Sequence, residues 1–566
     1  MSRTSAIQQA CRQCSASFEI ASEDLAFYEK VSPVFGGKKE LIPSPTLCPD
    51  CRQQRRLAFR NAHVLYKRKC DLTGQMIVST ASPDKPYKVF NHDGWWSDKW
   101  DPLSYGRSFD FSRSFFEQAH GLQRDVPRLA LGNWNSENSE YVAIGADNKN
   151  CYLASPCFRS EDCYFGDSIY SSRDCIDCLL CESLEIGYEC INCKGCYALF
   201  FSQNCINCRN SWFLKECNGC NDCIGCFGLR NQRFHVFNKP VKEEEFRAIL
   251  KRLMEPLTTE KIEEMRSSLR QTELALPHVS LRQTLSEHCT GNEFIECRNC
   301  AESYDLKRCE DVKFCYRVFD AKDSYDLSKC GVEGLEHCYE LMNAGYGNNH
   351  VLFSHVAQSS SNCFYCEHCF TCKDCFGCIG LRHQQYCILN KQYAKEEYEE
   401  LVPNIIAHMR QVGEWGEFFP VAMSPFAYNE TVAQEYFPLT EEEVKKRGWQ
   451  WHADDDPRKS YMGPPTDIPQ NITDVPNDFP QRILACQVSG KFYKIIPQEL
   501  EFYRDHGLPI PRKCPDQRHK ERMALRNPRK LWSRKCKKCG KGIETSYPPE
   551  RPEIVYCEEC YLKEVY

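Results

Sequence analysis

CYLASPCFRSEDCYFGDSIYSSRDCIDCLLCESLEIGYECINCKGCYALFFSQNCINCRNSWFLKECNGCNDCIGCFGL, residues 151–229, carries a three-residue period. Stepping in threes from Cys151 meets only Cys, Ala, Ser, Gly, Ile or Leu, through Ala154, Cys157, Ser160, Cys163 and Gly166 to Cys226 and Leu229. The residues between are mostly polar or aromatic. An amphipathic helix repeats every 3.6 residues and a half-buried strand every 2, so neither describes this stretch. A second likeness lies over the first: Cys175, Cys190, Cys205 and Cys220 are fifteen apart, as are Cys178, Cys193, Cys208 and Cys223. Fixed-period self-similarity marks a solenoid. The pattern predicts a β-solenoid with coils of about fifteen residues, or five triplets, each triplet pointing one small side chain inward. Coils stacked about 4.8 Å apart would set Cys over Cys in ladders. Collagen shares the triplet but needs Gly in the slot, and here the slot is Cys.

The pattern returns downstream. From Cys297 to Cys330 every third residue is Cys, Ser, Leu, Val or Ala. The phase breaks at 331–349, where a loop is expected, and resumes from Val351 through Cys363 and Cys378 to Leu381. The two arrays end alike, CNDCIGCFGLRNQRFHVFNKPVKEEEF against CKDCFGCIGLRHQQYCILNKQYAKEEY. The centre of the chain therefore reads as a tandem duplication, each copy closed by a helix that covers an exposed edge.

Both ends carry paired cysteines. Cys11 and Cys14 precede Cys48 and Cys51, two C-x2-C pairs whose thiolates suit a tetrahedral zinc. Residues 481–566 repeat the N-terminal segment, with ACQVSGKFYK…FYRD…KCPDQRHKERMALRN aligning on ACRQCSASFE…FYEK…LCPDCRQQRRLAFRN. In this copy Ser489 stands for Cys14 and Gln517 for Cys51, leaving Cys486 and Cys514. A second set, Cys536, Cys539, Cys557 and Cys560, appears only here; its N-terminal equivalents are Cys70, Thr73, Asn91 and Gly94. A metal that merely staples a small fold can be replaced by packing, so two structural Zn²⁺ sites are expected: one at Cys11, Cys14, Cys48 and Cys51, one at Cys536, Cys539, Cys557 and Cys560.

The N-terminal motif, with Cys11, Cys14, Phe18, Phe27, Tyr28, Cys48, Pro49, Cys51, Arg52 and Arg55, resembles a zinc-ribbon family of treble-clef type, and the C-terminal copy resembles a degenerate form of it. The layout is similar to that of uncharacterised bacterial Cys-rich zinc-ribbon proteins. The resemblance implies zinc at the four N-terminal cysteines and implies no activity.

The chain of 566 residues is too long for one core. The expected division is a zinc module with an aromatic docking segment (1–134), a first β-solenoid (135–238), a helical cap (239–283), a second β-solenoid (284–390), a helical and aromatic cap (391–453), an acidic Pro-rich linker (454–480) and a C-terminal zinc-ribbon module (481–566). The aromatic segment is expected to join the zinc module to the first solenoid. No apolar h-region opens the sequence and no run of eighteen apolar residues occurs, so a cytoplasmic protein without membrane spans is expected. In a reducing compartment 40 Cys point to metal or buried thiols more than to disulfides. Mixing of Cys with Ala, Ser, Gly and Leu in the same slots favours packing along the arrays; disulfides between coils or metal at the densest runs are the alternatives.

The net charge of −6 hides basic runs. Residues 52–70 hold seven Lys or Arg and no acid, and 512–541 hold thirteen against two acids. Arg52, Arg55, Arg56 and Arg60 follow Cys51 at helical spacing. With Arg518, Arg522, Arg526, Arg529, Lys530, Arg534 and Lys535 they form a candidate phosphate-contacting set for RNA, DNA or a ribonucleoprotein. No P-loop, G-x-G-x-x-G, G-x-S-x-G or H-E-x-x-H occurs, so the expected function is a non-enzymatic zinc protein whose basic modules bind nucleic acid on a rigid scaffold. The alternative is a thiol-rich metal-storage or redox protein that uses the Cys ladders.

Overall fold

The computed structural model describes residues 6–331, 334–453 and 463–565. The chain is mainly β and forms two compact units, each of two separate chain segments: residues 1–131 with 282–452, and 132–281 with 453–566. The N-terminal module is thus housed with the second cysteine array, and the C-terminal module with the first. The aromatic segment expected on the first array carries Trp95 and Trp96 onto Phe370 of the second, 5.6 and 4.9 Å between ring centres, and Phe115 onto Phe376 at 5.4 Å.

Both arrays are runs of short parallel strands whose partners lie twelve residues on, not fifteen. Cys163 pairs with Cys175, Cys175 with Gly187, and Gly187 with Leu199; in the second array Cys363 pairs with Cys375 and Cys375 with Cys387. Any multiple of three keeps the inward slots in phase, so the triplet fixes which side chains point in without fixing how many triplets close a turn. The fifteen-residue likeness steps forward one turn and one side.

The residue before each inward slot turns the corner. Asn150, Asp162, Asp174, Asn192 and Asn204 have φ between 50° and 56°, the left-handed region that Asn and Asp tolerate best. Their side chains join into ladders at the same offset: Asn138 donates to Asn150 (3.2 Å), Asn150 to Asp162 (3.1 Å) and Asn192 to Asn204 (3.0 Å). Inside, the cysteines are buried free thiols. Their S–H groups reach carbonyls of their own turn and the next: Cys190 Sγ lies 3.6 Å from the Tyr188 oxygen and 3.1 Å from that of Leu199. A thiol is small enough for this narrow interior and can still satisfy a carbonyl lone pair.

The expected loop at 331–349 retains strands Leu335–Glu336 and Tyr339–Met342. There Tyr325 pairs with Tyr339, fourteen residues on, and Tyr339 with Leu352, thirteen on. Three extra residues are thus absorbed in two turns without losing the pairing. Gly331 (φ 101°) lets the backbone pass, since a Cβ there would lie 1.9 Å from the Phe319 oxygen.

Each array closes identically. Asn238 accepts from the Phe227 N–H (2.8 Å) and donates to its oxygen (2.7 Å), as Asn390 does for Ile379 (2.7 Å both). An antiparallel hairpin follows, then a helix, Glu243–Met254 in one copy and Lys395–Gln411 in the other. Of the expected linker, 454–462 lies outside the described residues; beyond it Val475 and Phe479 are buried in the core of their unit, so 463–480 is packed chain.

Candidate metal centres and buried arginine clusters

Four tight turns present cysteines in the end modules. At Cys11, Cys70, Cys486 and Cys536 the cysteine N–H donates to the carbonyl five residues on (2.8–2.9 Å) and its own carbonyl accepts from the N–H four residues on (2.8–2.9 Å). The fourth residue after the cysteine is Ser15, Gly74, Gly490 or Gly540, each at positive φ. The second pair of the N-terminal set comes from the helix Pro49–Leu57, which Cys48 precedes as N-cap and Pro49 opens, Pro being favoured where a donor is not needed.

In two places four sulfurs converge. Cys11, Cys14, Cys48 and Cys51 form one group and Cys536, Cys539, Cys557 and Cys560 another, each with all ligand atoms within 4.8 Å of one another. Four sulfurs about 2.3 Å from a tetrahedral zinc stand about 3.8 Å apart. Cys14 and Cys48 are separated by 3.7 Å, and Cys539 and Cys557 by 3.8 Å. Hydrogen bonding from the Cys51 thiol draws Cys48 down to about 5. At Cys536 desolvation opposes ionisation, but the N–H groups of Cys539, Cys557 and Lys538 bring the thiol to about 6. Both groups fit a thiolate-bound metal ion.

The degenerate copies show what replaces an ion. Asn91, in the place of Cys557, donates its N–H to Cys70 Sγ (3.3 Å), and its Oδ1 accepts from that thiol (3.5 Å) and from the Gly94 N–H (3.2 Å). A Cβ at Gly94, in the place of Cys560, would lie 2.5 Å from Asn91 Oδ1 and 2.9 Å from Leu72 Cδ2. Space that a ligand would need is thus already taken. In the other degenerate turn Ser489 Oγ stands 3.7 Å from Cys514 Sγ.

A further group of ligand-type atoms, His355, Glu367 and His368, lies against the second array. Its carboxylate already serves Arg128 (2.6 Å) and Gln123 (2.7 Å), so its charge is balanced by protein. Burial holds His355 below the ordinary histidine range and His368 at about 3, leaving both neutral near pH 7.

The arginines expected to face nucleic acid are internal. Arg52 and Arg56 are 1 % and 0 % exposed and both bind Asp326, at 2.9 and 3.0 Å; Arg56 also reaches Glu340 (3.2 Å), and Arg55 bridges Glu340 (2.5 Å) and Glu417 (2.6 Å). Arg60, also buried, donates to Asn343. Three cations of the helix Pro49–Leu57 thus meet three anions, Asp326 and Glu340 of the array and Glu417 beyond it. Desolvation opposes charge on Arg52, but Asp326 together with Tyr28 and Tyr339 outweighs it and holds the guanidinium charged. In the other unit Arg518 and Arg522 are buried and bind Asp177 at 2.5 and 2.9 Å, and Arg518 also binds Glu499 at 3.1 Å. A helical stripe of arginine looks the same in sequence whether phosphate or a buried carboxylate faces it. The carboxylates that answer the arginines, Asp326 and Asp177, stand at corner positions where other acids also occur, and their burial, 0 % exposed, sets them apart.

The rest of the basic set differs. Lys530 and Lys535 are exposed, while Arg526, Arg529 and Arg534 are half-buried. Arg534 donates to the Pro548 and Glu553 carbonyls (3.4 and 3.2 Å). Lys537 and Lys541, beside the second cysteine group, are exposed as well.

No known protein family matches this chain, and no curated protein matches it. Among solved structures, a protein described as an acetyltransferase from Desulfovibrio desulfuricans G20 matches at 9% identity over 42% of this chain, with a TM-score of 0.11. The match spans 65% of that chain, less than two thirds. Among the described residues no helix is long and apolar enough to cross a membrane.

Proposed function

We propose that the chain is a non-enzymatic, cytoplasmic, zinc-stapled scaffold in which two β-solenoids of twelve-residue coils hold treble-clef and zinc-ribbon modules, and that its C-terminal ribbon binds nucleic acid. The observation that carries this reading is the pair of four-cysteine groups at tetrahedral spacing, one beside a helix locked to its array by buried ion pairs. A zinc ion there fixes the start of that helix and so the register of three buried arginines. With those arginines committed internally, the nucleic-acid reading moves to Lys530, Lys535, Lys537 and Lys541, exposed residues of the run RKLWSRKCKKCGK that carries Cys536 and Cys539. Clustered lysines attract a phosphate backbone with a steep salt dependence.

Metal analysis of the reduced protein tests the first half: two zinc ions per chain are expected. A titration with single-stranded RNA at rising salt tests the second. Affinity should fall steeply, and Lys530→Glu with Lys535→Glu and Lys537→Glu should abolish binding while leaving both zinc ions in place. Salt-insensitive binding, or none, overturns it. The storage alternative gains no support from the arrays, whose sulfurs reach carbonyls turn after turn.

A further inference from the structure

The two arrays open alike. VPRLALGNWNSENS (126–139) aligns without a gap on LPHVSLRQTLSEHC (276–289), which places Ser139 and Cys289 at equivalent positions of the first turn. Ser139 is buried; its hydroxyl donates to the Glu137 carbonyl (2.8 Å) and accepts from the Cys151 N–H (2.9 Å). The Cys289 thiol makes the matching bond to the Glu287 carbonyl (3.2 Å). The turns differ in length. Glu137 pairs with Lys149, twelve residues on, but Glu287 pairs with Arg298, eleven on.

The shorter turn is bare. Its strand Gln283–Thr284 stands at one end of its sheet, no residue from 281 to 290 is buried, and Leu285 is 80% exposed. Cys289 is half-buried in consequence, whereas every other cysteine from Cys151 to Cys387 is buried.

Cys300 lies opposite Cys289 in the second turn, at the offset that sets Glu287 against Arg298, and the Thr290 N–H donates to the Cys300 carbonyl beside them (2.8 Å). Neighbouring turns stand about 4.8 Å apart, inside the Cα separation of about 4.4–6.8 Å that a disulfide spans. The sister array has Ser139 and Cys151 at this place, one sulfur where the second array has two. Hydrogen bonding from the Cys300 thiol holds Cys289 below the ordinary thiol range, and the same bond, with one to Cys297, pushes Cys300 up. Access and thiolate character together make a cysteine reactive. Cys297 is also lowered, but it is buried.

We propose that Cys289 and Cys300 form a reversible oxidation site for hydroperoxides, with Cys289 the attacking sulfur and Cys300 the resolving one. The Cys289 thiolate attacks a peroxide oxygen: an S–O bond forms, the O–O bond breaks, and the departing alkoxide or hydroxide takes a proton from water. The Cys300 sulfur then attacks the Cys289 sulfur: the S–S bond forms, the S–O bond breaks, and the departing hydroxide takes the Cys300 proton and leaves as water. Two thiols thus give two electrons to one peroxide, and the products are a disulfide, an alcohol (water from hydrogen peroxide) and water. The new bond ties the bare first turn to the second. This site is separate from both cysteine quartets and from the lysines of the C-terminal ribbon, and stands or falls independently of them.

The test treats the full-length zinc-loaded protein with hydrogen peroxide, quenches with iodoacetamide and digests with trypsin and chymotrypsin. These cut at Arg298 and Phe294 and so place Cys289, Cys297 and Cys300 on three peptides. In the reduced protein Cys289 should alkylate at least tenfold faster than any other array cysteine. Peroxide should link Cys289 to Cys300, and dithiothreitol should restore both thiols. Cys300→Ser should leave Cys289 as a sulfenic acid that dimedone labels. Cys289→Ser, which installs the residue of the sister array, should abolish the link. Amide exchange over residues 283–296 should slow on oxidation of the parent and stay unchanged in Cys289→Ser. Absence of the link, a link between Cys297 and Cys300 in its place, or a Cys289 that alkylates no faster than the buried thiols overturns the proposal.

Discussion

Removing one carboxylate, Asp326→Asn, separates an internal strut from a surface phosphate contact. In the native unit Arg52, Arg55 and Arg56 face Asp326, Glu340 and Glu417, three charges against three, all shielded from water. The substitution keeps the shape and removes one anion. Arg52 then faces no anion and keeps the Leu47 carbonyl (2.7 Å) as a neutral acceptor, while Arg56 keeps Glu340 and Ser328 Oγ. Breaking a buried pair by deleting one partner costs about 3–5 kcal/mol. At a urea slope of about 3 kcal/mol per molar, that moves the unfolding midpoint down by about 1–1.7 M. The double variant Arg52→Met with Asp326→Leu leaves two cations facing two anions and replaces the pair by apolar volume, an exchange that is often neutral or stabilising. It should therefore recover most of the loss. The assay is a urea titration of the zinc-loaded protein followed by tryptophan fluorescence. An Asp326→Asn midpoint within about 0.2 M of the parent, the ~0.5 kcal/mol range of an ordinary surface change at that slope, would refute the reasoning, and so would a double variant less stable than the single.

Other consequences follow from the same geometry. Cys48→Ser and Cys557→Ser should each lower the zinc content from two to one, and substitution of Cys190 or Cys375 should leave it at two, as read by elemental analysis. Gly94→Ala places a methyl group against Asn91 and Leu72 and should destabilise by about 1–3 kcal/mol, the usual cost of overpacking, in the same urea assay. The depressed His368 contributes stability that is complete above the unfolded histidine value near 6.5 and declines as pH falls from there toward about 3, because the unfolded chain binds the proton first. His368→Gln should flatten the fall of the unfolding midpoint over that window, and an unchanged pH profile would contradict the assignment.

The inward slots of both arrays and the two cysteine quartets were legible because small side chains and metal-binding thiols each impose a spacing that survives in one dimension. The number of triplets per turn was not, since Cys175 over Gly187 over Leu199 is a chemically mixed column, whereas the diagonal Cys175, Cys190 and Cys205 is uniform. A readable clue was passed over: Asn, Asp or Gly stands directly before Cys151, Cys163, Cys175, Cys193 and Cys196, the residue types that suit a left-handed corner. Corners at every triplet argue for short straight sides and a narrow turn. The pairing of the first module with the second array was hidden altogether, because it depends on side-chain complementarity between segments hundreds of residues apart, such as Arg52 with Asp326.

That pairing gives the metal a specific part. The duplicated module has two turn sites, and each copy keeps the quartet that the other has lost. In the N-terminal copy the quartet sits at the base of the arginine helix, whose three cations are stable only when aligned with three buried anions. In the C-terminal copy two cations suffice there, Arg518 and Arg522 on Asp177 with Glu499 completing the cluster, and Glu521 takes the place of Arg55. Fewer charges need alignment, and the quartet at that helix is gone. A complete quartet persists instead at Cys536, Cys539, Cys557 and Cys560, beside a hairpin with Cys539 exposed. If this is the reason for the distribution, chelation should act unequally. Removing metal from the N-terminal quartet should loosen the Pro49–Leu57 helix and its ion pairs together, raising amide exchange at residues 49–60 and across Asp326 and Glu340. Removing it from the C-terminal quartet should raise exchange only within residues 532–565 and leave Arg518 and Asp177 protected. Equal, local effects at both sites would show that the ion does no more than close its own turn.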